Sequence, residues 1–204
     1  MHTKKIMKVT LALATSGILA ACGNTGASQA APPSAPPASL APASQAAEHN
    51  EADVRFAQQM IPHHTQAVRM AELAPTRAAS AEVKKLASAI QAAQQPEIDQ
   101  LNAMLARWGA PAAMPGMDHG TAHGAGHDMA GMMSDADMGK LGQAKAAEFD
   151  RQFLTMMIAH HEGAVAMSAT ELRDGRDAEA KALAQKITDA QRAEIDQMRR
   201  LLAG

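Results

Sequence analysis

The chain contains an internal duplication that limits the folds it can adopt. Residues 53–105 align without gaps to residues 150–202 at a constant offset of 97 positions, and about 22 of the 53 aligned pairs are identical. Identity on this scale within one chain indicates a single structural unit that is present twice. The fold must therefore combine two similar halves, which we place at residues 50–108 and 148–202.

Each half contains two segments with the periodicity of an amphipathic helix. In the first segment, seven positions that are identical in both halves fall on a stripe about 120° wide, at about 100° per residue. In the first half this stripe comprises Asp53, Phe56, Met60, His63, His64, Ala67 and Met70. Two helical hairpins of this kind predict an all-α fold, a four-helix bundle built from duplicated hairpins.

The ends and interiors of these helices carry further signals. Ser80 and Asp177 are suited to cap the second helix of each hairpin. Pro62 and Pro96 fall inside the predicted helices of the first half, where each should kink its helix or remove one backbone hydrogen bond. The first half therefore need not be identical to the second in detail.

The N-terminal segment reads as an export signal. Three lysines precede an apolar run from Val9 to Ala21 that is too short to span a membrane. The Leu-Ala-Ala sequence before Cys22 resembles the lipobox of bacterial lipoproteins, in which the cysteine is acylated. We therefore predict a signal peptide over 1–21 and a lipid anchor on Cys22.

A tether separates this anchor from the folded domain. Residues 22–47 begin with the acylated cysteine and are otherwise mainly Ala, Pro and Ser, a composition that cannot bury enough apolar surface to fold. The folded domain is then expected over 48–204. Gly23, rather than Asp, follows the cysteine, and by analogy with lipoprotein sorting this favours the periplasmic face of the outer membrane.

The composition excludes some classes of partner. The net charge of −2 leaves no basic footprint for nucleic acid, and aromatic residues make up only 2% of the chain. With a single cysteine, the chain can form no internal disulfide. Methionine is abundant, with 15 residues in all, and 13 of these follow the predicted cleavage point.

The connection between the halves, residues 109–140, is rich in methionine, histidine and glycine, so we expect no stable helix there. It is either a low-complexity spacer or a flexible segment that captures metal. Its candidate metal ligands are Met114, Met117, His119, His123, His127, Met129, Met132 and Met133.

The paired histidines suggest a metal site within the bundle. Successive helical positions diverge by about 100°, so two adjacent imidazoles can each flank one inward stripe. Methionines at helical spacing can converge on the same side. The candidate ligands are Met60, His63, His64 and Met70 in the first half, and Met157, His160, His161 and Met167 in the second.

The chemistry of this donor set favours copper. Thioether sulfur is a soft ligand that prefers Cu(I), imidazole accepts either oxidation state, and Ag(I) is a chemical mimic of Cu(I). Zinc usually takes Cys, His or carboxylate, and iron in ferritin-like bundles takes Glu-x-x-His motifs that these pairs lack. Glu97 and Glu194 lie on inward stripes and could orient a histidine through its second ring nitrogen.

Other readings of the same residues stay open. The methionines could be core filler, and the two glutamates could hydrogen-bond the histidines without any metal. Three classes of protein remain: a metal-binding protein without turnover, a metal-dependent oxidoreductase, and a structural lipoprotein. The sequence does not distinguish one shared metal site from two, and it leaves the oligomeric state open.

The paired Met-Ile-x-His-His-x-x-Ala-Val-x-Met segments, each followed by Gln-x-x-Glu-Ile, resemble a bacterial domain-of-unknown-function family. That family includes periplasmic copper-binding proteins of the CopM type. The resemblance implies a ferritin-like helical fold and copper or silver binding in the cell envelope, through the eight His and Met side chains named above. The expected role is metal sequestration, tolerance or delivery, with a partner protein that accepts the metal.

Overall fold

The computed structural model describes residues 48–113 and 130–204. Regular structure in these ranges is helical, apart from one isolated bridge between Ala78 and Ala146. The helices are α1 (Glu51–Arg77), α2 (Ala81–Arg107), α3 (Asp135–Gln143), α4 (Ala146–Asp174) and α5 (Ala178–Ala203). The predicted all-α fold, with four long helices in two duplicated hairpins, is confirmed. The predicted signal peptide, Cys22 and the tether lie outside the described residues.

The helices begin where the sequence offers capping side chains. Ser80 accepts hydrogen bonds from the N–H groups of Glu82 and Val83, and Asp177 caps α5 in the same way, as predicted. Asn50 opens α1 with a reciprocal capping box that includes Asp53. These caps satisfy amide donors that the first turn of each helix leaves without intrahelical partners.

Proline does not divide the long helices. Pro62 and Pro75 lie inside α1, and Pro96 lies inside α2, yet both helices continue through them. Within these helices, each proline therefore removes one amide donor without ending the element. The packed inner faces of α1 and α2 stabilise both helices against this loss.

The expectation of no helix in the connection is wrong for its last part, where α3 forms. Ser134 caps this helix, and Asp135 and Asp137 in its first turn suit the positive end of the helix dipole. Leu141 is fully buried and anchors the helix to the core. A regular helix therefore forms through Gln143, although Gly139 and Gly142 lie within it.

The two hairpins meet along α1 and α4, which run antiparallel. The Asn50 side chain at the start of α1 donates to the carbonyl of Asp174 at the end of α4, at 2.9 Å. At the other end, Ala78 bridges to Ala146. Each hairpin thus presents its first helix to the other, which produces the pseudo-twofold arrangement expected of a duplicated bundle.

The bundle core consists of two apolar clusters. One contains Met70, Ile90, Phe149, Phe153, Met157 and Met198, among others. The other contains Phe56, Met60, Leu101, Met104, Leu183 and Ile187, among others. In the described part of the chain, no helix is both long and apolar enough to cross a membrane.

Candidate metal centre

A layer of polar side chains separates the two apolar clusters. On each of the four long helices, the residues of this layer lie between the part of the helix that packs in one cluster and the part that packs in the other. We call this set the polar layer; it comprises His63, His64, Gln94, Glu97, His160, His161, Gln191 and Glu194. Burying so many polar groups is unfavourable unless they find partners, so the layer calls for a functional explanation.

The centre of the layer is a contact between His63 of α1 and His160 of α4. Their ring centroids are 3.7 Å apart with an interplanar angle of 34°, and both residues are completely buried. The contact lies where the two antiparallel helices pack, so each half of the duplication contributes one imidazole. Sequence periodicity placed four histidines near one stripe but could not tell which two would meet.

The other two imidazoles are bound by glutamates. His64 Nε2 lies 3.0 Å from Glu97 Oε2, and His161 Nε2 lies 2.7 Å from Glu194 Oε2. Lys186 adds an ion pair to the second oxygen of Glu97 at 3.3 Å. The duplication thus repeats the His–Glu pair, while Lys186 distinguishes the two copies, since its repeat position is Ala89.

These contacts determine which ring nitrogen carries the proton in three of the four histidines. The carboxylates accept hydrogen bonds from His64 and His161, and the Ala130 carbonyl accepts one from His63 Nε2 at 3.3 Å. Because these oxygens can only accept, each Nε2 carries a hydrogen, and the neutral form of each ring keeps a lone pair on Nδ1. All three Nδ1 atoms are buried without a partner, as are both ring nitrogens of His160.

Burial also favours the neutral form of His63, His64 and His160. Loss of solvation, followed by repulsion from His64, lowers the pKa of His63 to about 3. Burial and the charges of the other histidines hold the pKa of His160 well below its ordinary value. Burial lowers the pKa of His64 even though Glu97 opposes this shift. Neutral imidazole is the form that binds metal, so these rings need release no proton at neutral pH.

The glutamate that holds His64 is itself ionised. Burial would raise the pKa of Glu97, but the hydrogen bonds from His64 and Lys186, together with the charge of Lys186, outweigh burial and lower it. A carboxylate on the far nitrogen of a metal-binding histidine fixes the ring and increases its basicity. The His64–Glu97 and His161–Glu194 pairs have the carboxylate–imidazole part of this arrangement.

The described residues contain no group of three or more His, Cys, Asp or Glu side chains already placed to hold one metal ion. Within each pair of adjacent histidines the rings diverge: the ring centroids are 6.5 Å apart for His63 and His64, and 6.4 Å apart for His160 and His161. The structure thus brings two imidazoles into contact and holds the other two against glutamates.

The candidate methionines lie on both sides of the polar layer. Met60 is fully buried in one apolar cluster, and Met167 packs against the same cluster while partly exposed. Met70 and Met157 are fully buried in the other cluster. Each cluster therefore contacts one of these four candidate methionines from each half. All four have the packing role that the sequence left open.

Of the candidate ligands in the connection, Met132 and Met133 are described, and both are partly buried. Met133 packs against the cluster that contains Met157. The remaining candidates lie outside the described residues: Met114, Met117, His119, His123, His127 and Met129.

Two members of the layer, Gln94 and Gln191, had no role predicted from the sequence. Both are almost completely buried, and neither amide has a hydrogen-bond partner. They occupy equivalent repeat positions, each three residues before a glutamate of the layer. Their identity in both halves was the available signal, because a polar residue repeated on an inward stripe is unusual unless it serves the core.

The fold and site together define a duplicated four-helix bundle with buried imidazoles, amides and carboxylates across its middle. Residues 53–202 match the family model described as "Domain of unknown function (DUF305)", and the chain belongs to this family. No match was found among curated proteins.

Solved structures show the same relationship. A DUF305 fragment from Deinococcus radiodurans is 36% identical with a TM-score of 0.67, covering 76% of this chain and 97% of its own. A DUF305 protein from Streptomyces coelicolor is 31% identical with a TM-score of 0.65, covering 74% and 92%. CopM in its Cu(II)-bound form is 35% identical with a TM-score of 0.63, covering 74% and 95%.

Proposed function

We propose that this protein binds copper as Cu(I), with Ag(I) as a substitute, in the polar layer where α1 and α4 meet. The observation that carries the proposal is the set of buried ring nitrogens with free lone pairs at His63, His64 and His161, beside the unpartnered His160. A ring nitrogen left unpaired inside a protein is costly unless it serves a ligand. Neutral imidazole is a good ligand for copper.

The surroundings favour a soft ion over zinc or iron. Fully buried thioethers of Met60 and Met157 lie one helical turn from the histidines, on opposite sides of the layer. The carboxylates of Glu97 and Glu194 are already engaged with imidazoles. Thioether and imidazole donors together suit Cu(I). Related CopM structures carry Cu(II), Cu(I) and Ag, which supports copper, with silver as a substitute, here.

The proposed biological role is sequestration, tolerance or delivery of copper in the cell envelope, without catalytic turnover. The Streptomyces coelicolor relative is described as a secreted protein, in line with an extracytoplasmic location. In this proposal Cys22 anchors the protein to a membrane, and the methionine- and histidine-rich connection delivers metal to the bundle. A partner protein then accepts the metal.

Thermal unfolding with and without metal tests the proposal. A ligand that binds only the folded state stabilises it by about 2.7 kcal/mol when its free concentration is a hundredfold above Kd. We expect Cu(I) or Ag(I) to raise the unfolding midpoint of the purified protein. A variant in which His63, His64, His160 and His161 are all Ala should lose this gain. A scaffold protein would show an unchanged midpoint with metal, and that result would refute the proposal.

A control variant separates the bundle from the rest of the chain. His49 lies outside the polar layer, where it stacks on Trp108 with ring centroids 5.1 Å apart. The His49→Ala variant should keep the full metal-dependent gain in midpoint. If this variant lost as much as the fourfold variant, the metal would not be bound in the polar layer.

A further inference from the structure

The first residues of the second described range lie directly over the histidine pair. We call residues 130–133 the strap. The carbonyl of Ala130 accepts a hydrogen bond from His63 on α1, and Gly131 lies against the backbone carbonyls of Ala159 and His160 on α4. The strap therefore touches both helices at the level of the His63–His160 contact.

Two glycines allow this close approach. Gly131 has a φ of +81°, which disfavours other residues, and a Cβ on it would lie 2.5 Å from the carbonyl oxygen of Ala159. A Cβ on Gly163 of α4 would overlap the carbonyl oxygen of Ala130. Backbone thus packs directly on backbone where the strap crosses α4.

A double hydrogen bond holds the strap to α1. The Met133 N–H donates to Gln66 Oε1 at 2.7 Å, and Gln66 Nε2 donates to the Met133 carbonyl at 2.8 Å. Gln66 and Gly163 occupy equivalent positions of the two repeats, 97 residues apart. In the first half Gln66 binds the strap, and in the second half Gly163 leaves room for it.

We propose that the strap is the gate through which metal reaches the histidine pair, and that Gln66 and Gly163 are its positioning residues. This inference rests on the proposed metal binding. His63 and His160 are completely buried, so an ion reaches them only after some part of the structure moves. The strap is held by few bonds, and its Ala130 carbonyl keeps the His63 hydrogen on Nε2, which leaves Nδ1 for the metal.

Copper release provides the kinetic test. Cu(I)-loaded protein is mixed in a stopped-flow instrument with excess bicinchoninate, and the coloured Cu(I) complex is followed. Gln66→Leu removes both hydrogen bonds to the strap, so we expect release to accelerate about tenfold. Gln58→Leu is the matched control, because Gln58 on the same helix donates to the Pro111 carbonyl, away from the strap. Its release rate should equal that of the unaltered protein.

A second measurement needs no metal. The ¹⁵N shifts of the His63 ring report its tautomer, which should be the Nε2–H form in the unaltered protein. In Gly163→Ala, whose new methyl group displaces Ala130, we expect the two tautomers to mix. Release at the unaltered rate from Gln66→Leu, or an unchanged His63 spectrum in Gly163→Ala, would overturn the gate. If the unaltered protein bound no Cu(I), the proposed function would fail, while the tautomer measurement would still decide the positioning role.

Discussion

Asp53 and Asp150 occupy equivalent repeat positions, 97 residues apart, and each binds the turn of the opposite hairpin. Asp53 Oδ1 accepts hydrogen bonds from the N–H groups of Arg176 and Asp177, both at 2.9 Å. Asp150 accepts from Ala79 at 3.2 Å and from Ser80 at 2.9 Å. The two halves are thus locked together reciprocally at both ends of the α1–α4 pair.

Replacing either aspartate should weaken the whole domain. Hydrogen bonds to a charged acceptor contribute more than neutral ones, so we expect Asp53→Ala to lower the free energy of unfolding by about 2 kcal/mol. Asp150→Ala should cost less, because Asp150 is partly exposed whereas Asp53 is completely buried. Urea unfolding measures both. Asp99→Ala, at an exposed position on α2, should have little effect, and equal losses in all three variants would contradict the reciprocal lock.

Glu171 makes stability depend on pH near neutrality. Burial, then the hydrogen bond and charge of Asp53, raise the pKa of Glu171 to about 8 from an ordinary value of 4.5. The folded state therefore holds this proton more tightly than the unfolded state. Its contribution is complete below pH 4.5 and is lost as the pH rises to about 8. Glu171→Gln, which cannot ionise, should gain stability relative to the unaltered protein as the pH rises from 5 to 9.

The neighbouring carboxyl shows the opposite shift. Burial alone would raise the pKa of Asp53, but hydrogen bonds from Glu171 and three backbone N–H groups lower it. Its contribution is therefore lost only in acid, below its ordinary pKa of 3.8, so it does not disturb the Glu171 experiment.

Thermal midpoints across the pH range are the readout for Glu171→Gln, with the exposed Glu72→Gln as control. Parallel curves for Glu171→Gln and the unaltered protein would show that Glu171 is not the group responsible.

The two unpartnered amides of the polar layer should be dispensable for folding. Gln94→Leu removes a buried polar group that has no hydrogen-bond partner, so the metal-free protein should be as stable as before or gain about 1 kcal/mol. Gln191→Leu should behave alike. Urea unfolding of the metal-free variants provides the measurement. A loss above about 2 kcal/mol would mean that these amides hold a structural partner.

Glu97 should influence metal affinity through His64. A partner on the second nitrogen of a metal-binding histidine typically changes affinity by about 10- to 100-fold. Glu97→Ala should therefore weaken Cu(I) binding on that scale in competition with bicinchoninate, and Glu97→Gln, which retains an acceptor oxygen, should weaken it less. Glu82→Ala, at the exposed start of α2, is the control. Unchanged affinity in Glu97→Ala would remove this glutamate from the site.

The helical architecture could be predicted from the sequence because the duplication and the helical stripe are visible as patterns along the chain. Ser80 and Asp177 could be identified as caps from their positions alone. The asymmetries were harder to predict because they depend on contacts between halves. Glu171 and Gly175 replace Ala74 and Ala78 of the first repeat, and only the structure shows that Gly175 leaves room for the Glu171 side chain.

The candidate site was predictable in its residue types but not in its pairing. Adjacent histidines diverge around a helix, so periodicity could not tell that His63 and His160 would meet while their neighbours turn to glutamates. The position of the strap could not be predicted either, because its contacts join residues about 67 positions apart along the chain. The sequence signal for these contacts was the difference between Gln66 and Gly163 at equivalent positions of the repeat.

The most direct test of a shared centre is the silver stoichiometry of two single variants. Isothermal titration with Ag(I) should show that His63→Ala and His160→Ala each abolish the same bundle site, because one imidazole from each half contributes to it. The binding that remains in either variant should then match that of the double variant. If instead each single variant lost a different site and kept the other at full affinity, the halves would bind metal independently and the shared centre would be wrong.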